Sequence, residues 1–350
     1  MEKRIAVLPG EGIGPEVIAQ AVKTLRAIEK KFGHHFILTE GLIGAVAIDA
    51  TGNPFPKETL DLCNSSDAIL FGAIGHPKYD NDPQAKVRPE QGLLAMRKQL
   101  DLFANIRPVK TYKQLSGASP LKENIVKGID FVVLRELSSG IYFGEPRGKS
   151  HEEAFDTCRY TRKEILRITE LAFTYAKARK KKVTLVDKAN VLATSQLWRE
   201  VVAEYAKSHP DITLETMYVD SAAMKLILNP AHFDVILTEN LFGDILTDEA
   251  SVITGSLGML PSASTGSRIS LYEPIHGSFP EAAGKDQANP LATILSAAMM
   301  LELSFGLVEE SNSINKAVEE AIENNIRTED IGGSSSCSAV GDYVAARVAS

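Results

Sequence analysis

The stretch Ile5-Ala6-Val7-Leu8-Pro9-Gly10-Glu11-Gly12-Ile13-Gly14-Pro15-Glu16-Val17 runs from an apolar strand through three glycines into a helix, with Pro15 at a favoured early helical position. Strand, glycine turn and helix in that order open an α/β unit. The turn is not the Rossmann one, because Gly-x-Gly-x-x-Gly puts its third glycine inside the helix for close packing, whereas Glu11 to Gly14 is followed by Pro15. The glycines therefore read either as a sharp backbone turn or as a loop closing on a ligand.

The same rhythm continues outward, with Ala68 to Phe71 before the helix-period segment Gly92 to Leu100, and Val183 to Val186 before Ser195 to Ser208. Thr161-x-x-Glu164 has the form of a capping box ahead of a helix to Ala178 whose Ile165, Ile168, Ala172 and Tyr175 share one face. Turn-rich stretches fall at Thr51 to Pro56, His76 to Pro89, Gly140 to Ser150 and Ser262 to Ser267. A chain of 350 residues suggests two lobes, yet no composition shift marks a boundary between them. Apolar residues at 44% are enough for a substantial core. A net charge of −7 offers no electrostatic footprint for nucleic acid or anionic membrane, so an anionic ligand must be held by a few placed cations. Cys63, Cys158 and Cys337 are odd in number and widely spaced, which suits inert thiols in the cytoplasm. The apolar run Leu291 to Leu301 is too short for a membrane span.

Four constellations carry possible chemistry. Arg97, Arg107 and Arg135 can grip a substrate with two carboxylates bidentately, or be separate surface ion pairs. Asp244 and Asp248, one helical turn apart, repel unless a cation bridges them. Asp220, after another strand, offers a third oxygen ligand of the type magnesium or manganese takes, the alternative being a solvated acidic face. Lys188 follows the strand Val183 to Val186, as a general base or a surface lysine, and Tyr142 is a packed aromatic or a proton donor. His276, in Glu273-Pro274-Ile275-His276-Gly277-Ser278, suits ligand contact, whereas His34 and His35 read as solvated loop residues. Nucleophile-elbow, Walker and zinc-histidine motifs are absent.

Taken together these stretches resemble the isocitrate/isopropylmalate dehydrogenase family, and within it the isopropylmalate branch. The resemblance rests on Leu8 to Val17, Gly92 to Arg97, Leu102 to Pro108, Arg135 to Glu145, Val186 to Leu192, Asn240 to Asp248 and Glu273 to Ser278, in that order. It implies an α/β two-domain fold that is not a Rossmann fold, with a large central mixed sheet flanked by helices. One domain, 1–102 plus 255–350, would lie on the cofactor side, and the other, 103–254, would carry dimerisation and the metal and substrate side. It implies a homodimer with shared active sites, in which Lys188 and Asp220 of one subunit complete the site of the other. The implied reaction is NAD-dependent oxidative decarboxylation of (2R,3S)-3-isopropylmalate to 4-methyl-2-oxopentanoate and carbon dioxide, in leucine biosynthesis.

Position by position, the resemblance makes Lys188 the base and Tyr142 the proton donor to carbon. Arg97, Arg107 and Arg135, with Asp220, would hold substrate, and Asp220, Asp244 and Asp248 would bind magnesium or manganese. Glu90, Leu93 and Leu94 would face the variable substituent, two leucines suiting an isopropyl group and the glutamate repelling a third carboxylate. Ile13, Glu273, His276, Gly277, Ser278, Phe279, Glu281, Asn289 and Asp330 would contact the cofactor. The family usually has Ala and Asp where this chain has Phe279 and Glu281, and Asp where it has Glu11. Glu281 keeps a carboxylate that repels a 2′-phosphate, which points to NAD over NADP. Activity on tartrate, malate-type acids or homoisocitrate is the alternative within the family, and a non-catalytic regulatory subunit is the alternative outside it.

Overall fold

The computed structural model describes residues 1–80 and 85–350, so part of the turn-rich stretch His76 to Pro89 lies outside the described residues. The chain forms two compact units, Met1–Leu102 with Gly255–Ser350, and Phe103–Thr254. The strands in chain order are β1 (Glu2–Gly10), β2 (His35–Glu40), β3 (Ala68–Ala73), β4 (Leu102–Lys110), β5 (Asp130–Glu136), β6 (Gly148–Lys149), β7 (Ala154–Phe155), β8 (Lys182–Asp187), β9 (Thr213–Tyr218), β10 (Val235–Thr238), β11 (Pro261–Gly266) and β12 (Ser270–Pro274).

In the first unit the strand order is β2-β1-β3-β12-β11, parallel except for the antiparallel β11–β12 pair. This is not Rossmann order. The unit closes on itself because helix Gly14–Phe32, from the start of the chain, packs against helix Cys337–Ala349, from its end. Helix Leu291–Phe305 is buried almost all round, packing on β11, β12 and Gly14–Phe32, which is why its sequence shows so little amphipathic pattern. The opening glycines serve the backbone: Gly12 has φ 63°, and a Cβ there would meet the Ser278 carbonyl oxygen at 2.0 Å, while Ile13 N–H donates to that oxygen at 2.8 Å. Gly12 therefore serves a close approach to the protein's own chain, while Ile13 beside it lines a cleft.

In the second unit the order is β4-β5-β10-β8-β9, with β4 antiparallel to β5 and the remaining neighbours parallel. One sheet face is covered by helices Val219–Leu228 and Asn240–Thr254 around Phe131, Phe233, Leu226 and Leu246. Helices Arg162–Lys177 and Ala193–Ala206 pack on each other and on these strands, with Trp198 edge-on to Tyr160. The Thr161–Glu164 capping box is present: Thr161 N–H donates to Glu164 at 2.7 Å, and Glu164 N–H donates back to the Thr161 hydroxyl at 3.3 Å. Each unit is thus a mixed sheet flanked by helices, the α/β class expected.

His34 departs from expectation. It is not solvated but lies between the Met1 amine, at 3.1 Å from Nδ1, and Glu310. His35 is exposed but belongs to β2 rather than a loop. The cysteines are all free, and burial pushes the Cys63 and Cys337 thiols up to about 12, leaving them unreactive. Among the described residues no helix is long and apolar enough to cross a membrane.

Candidate active site

In the second unit β5, β10, β8 and β9 run parallel, so residues at or just after their carboxyl ends share one sheet edge: Arg135, Glu239, Lys188 and Asp220. On neighbouring β4 the antiparallel register sets Asn105 opposite Arg135 and Arg107 opposite Val133, so both arginines stand on one face. Arg107 Nε donates to Asn105 Oδ1 at 2.6 Å, and its Nη1 reaches Thr247 Oγ1 at 2.5 Å and Asp248 at 3.7 Å.

Arg135 is 2% exposed. Its Nε and Nη2 both donate to Asn240 Oδ1, at 3.1 and 2.8 Å, and its Nη1 donates to Asp244 Oδ1 at 2.5 Å. Asp244 Oδ2 accepts from the Tyr142 hydroxyl at 2.7 Å. The helix Asn240–Thr254 lies close over this guanidinium because position 243 is glycine: a Cβ there would meet Arg135 Cγ at 2.6 Å. Burial works to raise the Asp244 carboxyl, but the Arg135 guanidinium, the Tyr142 hydrogen bond and nearby Arg107 hold it below the usual range. Burial, with the hydrogen bond to Asp244 second, pushes the Tyr142 phenol up to about 12, so it keeps its proton at neutral pH. Asp248, one turn on, leaves its side chain 71% exposed.

Lys188 and Asp220 form a separate pair, Nζ to Oδ1 at 2.6 Å, and this hydrogen bond lowers the Asp220 carboxyl. Within one chain the three aspartates are not gathered. Among the described residues the one set of three possible metal-ligand atoms within 4.8 Å of one another is Glu16, Asp286 and Cys337. There Asp286 is occupied in the first turn of helix Cys337–Ala349, accepting from Ser338 N–H and hydroxyl at 2.7 and 2.5 Å.

The first unit holds a cleft of about 330 Å³ lined by Ile13, His276, Gly277, Phe279, Asn289 and Asp330, together with Ser256 to Gly258, Gln287 and Ala288. His276 Nδ1 lies 3.0 Å from the Gly277 carbonyl and donates to it, which leaves Nε2 as an acceptor without a partner. Burial lowers the imidazole's pKa, keeping it neutral. Asn289 Nδ2 donates to Asp330 Oδ2 at 3.0 Å, and Phe279, exposed, sits at φ 39°. Ser278 lies behind the turn with Ile13, and Glu281 is exposed on the short turn Pro280–Ala282 rather than in the cleft lining. Glu273 is buried in β12 and lies 3.4 Å from Arg97 Nη2, away from the cleft lining. Arg97 Nε, also buried, has no partner. Glu90, Leu93, Leu94 and Arg97 share helix Glu90–Gln99. Glu11 uses its longer carboxylate structurally, accepting from Ala45 N–H at 2.9 Å and Gly75 N–H at 2.8 Å.

Sequence pattern did not single out Asn240, Asn105 or Thr247, which hold the two arginines. Only the strand register and the helix over it bring them there, although all three lie inside stretches that carry the family resemblance.

A buried guanidinium, an ionised carboxylate and a protonated phenol brought together in one unit can bind a carboxylate and move a proton. The chain belongs to the isocitrate/isopropylmalate dehydrogenase family, whose model matches residues 4–344, and it is an enzyme of the decarboxylating dehydrogenase class. It is 59% identical over 336 residues to a 3-isopropylmalate dehydrogenase of Geobacillus kaustophilus, covering 95% of this chain and 90% of the relative. With the 3-isopropylmalate dehydrogenase of Bacillus subtilis it shares 53% identity, over 100% of this chain and 98% of the relative. Among solved structures, isocitrate dehydrogenase from Methylococcus capsulatus matches with a TM-score of 0.88 at 34% identity, covering 99% of this chain and 100% of that one. A beta-decarboxylating dehydrogenase from Thermococcus kodakarensis matches with a TM-score of 0.82 at 37% identity, covering 99% and 96%.

Proposed function

We propose that the protein carries out the NAD-dependent oxidative decarboxylation of 3-isopropylmalate to 4-methyl-2-oxopentanoate and carbon dioxide, as a cytoplasmic homodimer serving leucine biosynthesis. The observation that carries the chemistry is Arg135, buried yet ending on an ionised Asp244 that also holds the Tyr142 proton. The substrate follows from relatives of that name at 53% identity and above.

The donor set fits magnesium or manganese: Asp244 and Asp248 supply oxygen only, and Asp244 is held ionised, as a ligand must be. The cleft fits the adenosine end of NAD, being largely apolar and offering the unpartnered His276 Nε2 to a donor such as an adenine amine. When bound, the cation supplies charge stabilisation at the substrate oxygens and the nicotinamide accepts the hydride.

Lys188 takes the C2 hydroxyl proton as hydride leaves that carbon. Arg107 and Arg135, with Arg97, hold the two carboxylates and so orient the substrate. After carbon dioxide departs, Tyr142, whose phenol keeps its proton near neutral pH, protonates the carbon. Leu93 and Leu94 set the apolar side of the substrate choice, Glu90 repels a third carboxylate, and Glu281 disfavours a 2′-phosphate.

Dimerisation is supported by an exposed apolar face on two packed helices, with Leu228 72% and Ile245 59% exposed beside Met224 and Val252. A second subunit bringing its own Lys188 and Asp220 would complete a three-aspartate set that one chain does not gather.

Steady-state rates with 3-isopropylmalate, isocitrate, homoisocitrate and tartrate, each with NAD and NADP, test the reading. The expected result is the highest kcat/KM for 3-isopropylmalate with NAD, and preference for isocitrate with NADP refutes it.

A further inference from the structure

Glu239 and Ser195 do not line the cleft, and both are buried beneath the loop that presents Lys188. Glu239 stands between β10 and helix Asn240–Thr254 at 3% exposure, and Ser195, in the first turn of helix Ala193–Ala206, at 0%. Ser195 Oγ accepts from the Lys188 backbone N–H at 3.1 Å, so its own proton goes to its other close neighbour, Glu239 Oε1. The Lys188 carbonyl is held as well, accepting from Val191 and Leu192 N–H at 2.9 Å each. The preceding residue, Asp187, accepts from Ala189 N–H at 2.9 Å and takes both arms of Arg199, at 2.6 and 3.0 Å.

At its other end Glu239 belongs to a different element. Its carbonyl accepts from Gly243 N–H at 2.9 Å, closing the first turn of the helix that carries Asp244 and Asp248. One residue therefore links the loop after β8 to the helix after β10. A buried carboxyl group is costly to keep, and a serine hydroxyl alone is satisfied by any backbone carbonyl. Its retention here, joined to Ser195 and so to the Lys188 backbone, calls for a role beyond filling space.

We propose that Glu239, acting through the Ser195 hydroxyl, is a positioning residue that sets the backbone from which Lys188 reaches the substrate and joins that loop to the helix bearing Asp244 and Asp248. The proposal deepens the function above and rests on Lys188 being the base.

The test compares wild type with Glu239→Gln, Glu239→Leu, Ser195→Ala and the Glu239→Leu/Ser195→Ala double variant. Each is assayed with 3-isopropylmalate, NAD and magnesium, with thermal midpoints recorded in parallel. Glutamine keeps an acceptor oxygen for Ser195, so kcat should stay within about threefold of wild type. Leucine and Ser195→Ala should lower kcat about tenfold or more, since small misplacements of a catalytic group cost up to about a hundredfold, with KM little changed. Because the two residues act as one link, the double variant should be no slower than the slower single one.

Wild-type kcat in Ser195→Ala and Glu239→Leu, a glutamine variant as slow as the leucine variant, or a change confined to KM overturns the proposal. Should Glu239→Leu not fold, the Ser195→Ala and Glu239→Gln pair decides by the same criteria. A wild-type enzyme that does not turn over 3-isopropylmalate refutes the assigned reaction instead, and the rate of amine-selective labelling of Lys188 then decides the positioning role. Faster or slower labelling in Ser195→Ala but not in Glu239→Gln supports it, and equal rates overturn it.

Discussion

Replacing Glu239 by glutamine should change how stability depends on pH. Burial, followed by the nearby Asp187 charge and against the Ser195 hydrogen bond, pushes the Glu239 carboxyl from an ordinary 4.5 up to about 7. The sign follows from the direction: the folded state prefers the protonated acid. That stabilisation is fully present below 4.5 and is lost as pH rises through 7. At about 1.4 kcal/mol per pKa unit the loss is about 3 kcal/mol, and at 3% exposure the group needs little discount for solvent screening. A glutamine at this position has no proton to lose. The stability of Glu239→Gln relative to wild type should therefore rise by about 3 kcal/mol between about pH 4.5 and pH 8, as other titrating groups cancel in the difference. Urea unfolding of both proteins at one fixed concentration, across that range, measures it. A difference that stays flat with pH refutes the reasoning, because it means that Glu239 ionises as readily in the folded protein as in the unfolded chain.

Further outcomes concern the assigned roles. Asp248→Asn should raise the magnesium concentration needed for half-maximal activity by about tenfold or more, and an unchanged titration removes Asp248 from the metal site. Tyr142→Phe should lower kcat on the order of a hundredfold. Since burial and Asp244 push the Tyr142 phenol up to about 12, the wild-type pH profile should show no loss from this group below about pH 10. Glu281→Lys should raise the NADP to NAD ratio of kcat/KM about tenfold, read from paired steady-state titrations. Leu228→Asp combined with Ile245→Asp should yield monomers in sedimentation or light scattering, with activity falling as the dimer is lost.

Much of the local structure was legible because it depends on neighbours in sequence. The Thr161–Glu164 box is complete within four residues, and Asp244 and Asp248 share a helix face by spacing alone. The glycine turn from Gly10 to Gly14 was legible as a departure from the Rossmann pattern, but what it approaches was not. The Ser278 carbonyl that requires Gly12 comes from the other end of the chain. His34 misled for the same reason, since Glu310 reaches it from far along the sequence.

The sequence by itself determined the α/β class, the family and the chemical inventory, because hydrophobic periodicity, capping residues and ordered motifs are local and survive without coordinates. Only the tertiary structure decided which groups meet. Strand register set Asn105 opposite Arg135, a glycine let a helix lie over that guanidinium, and Asn240 with Asp244 then received it. It likewise put Ser195 between Glu239 and the Lys188 backbone, and paired Asp220 with Lys188 without gathering Asp220, Asp244 and Asp248 into one ligand set. Hydrogen bonds and desolvation act over a few ångströms, and for residues a hundred positions apart that proximity exists only once the sheet has formed.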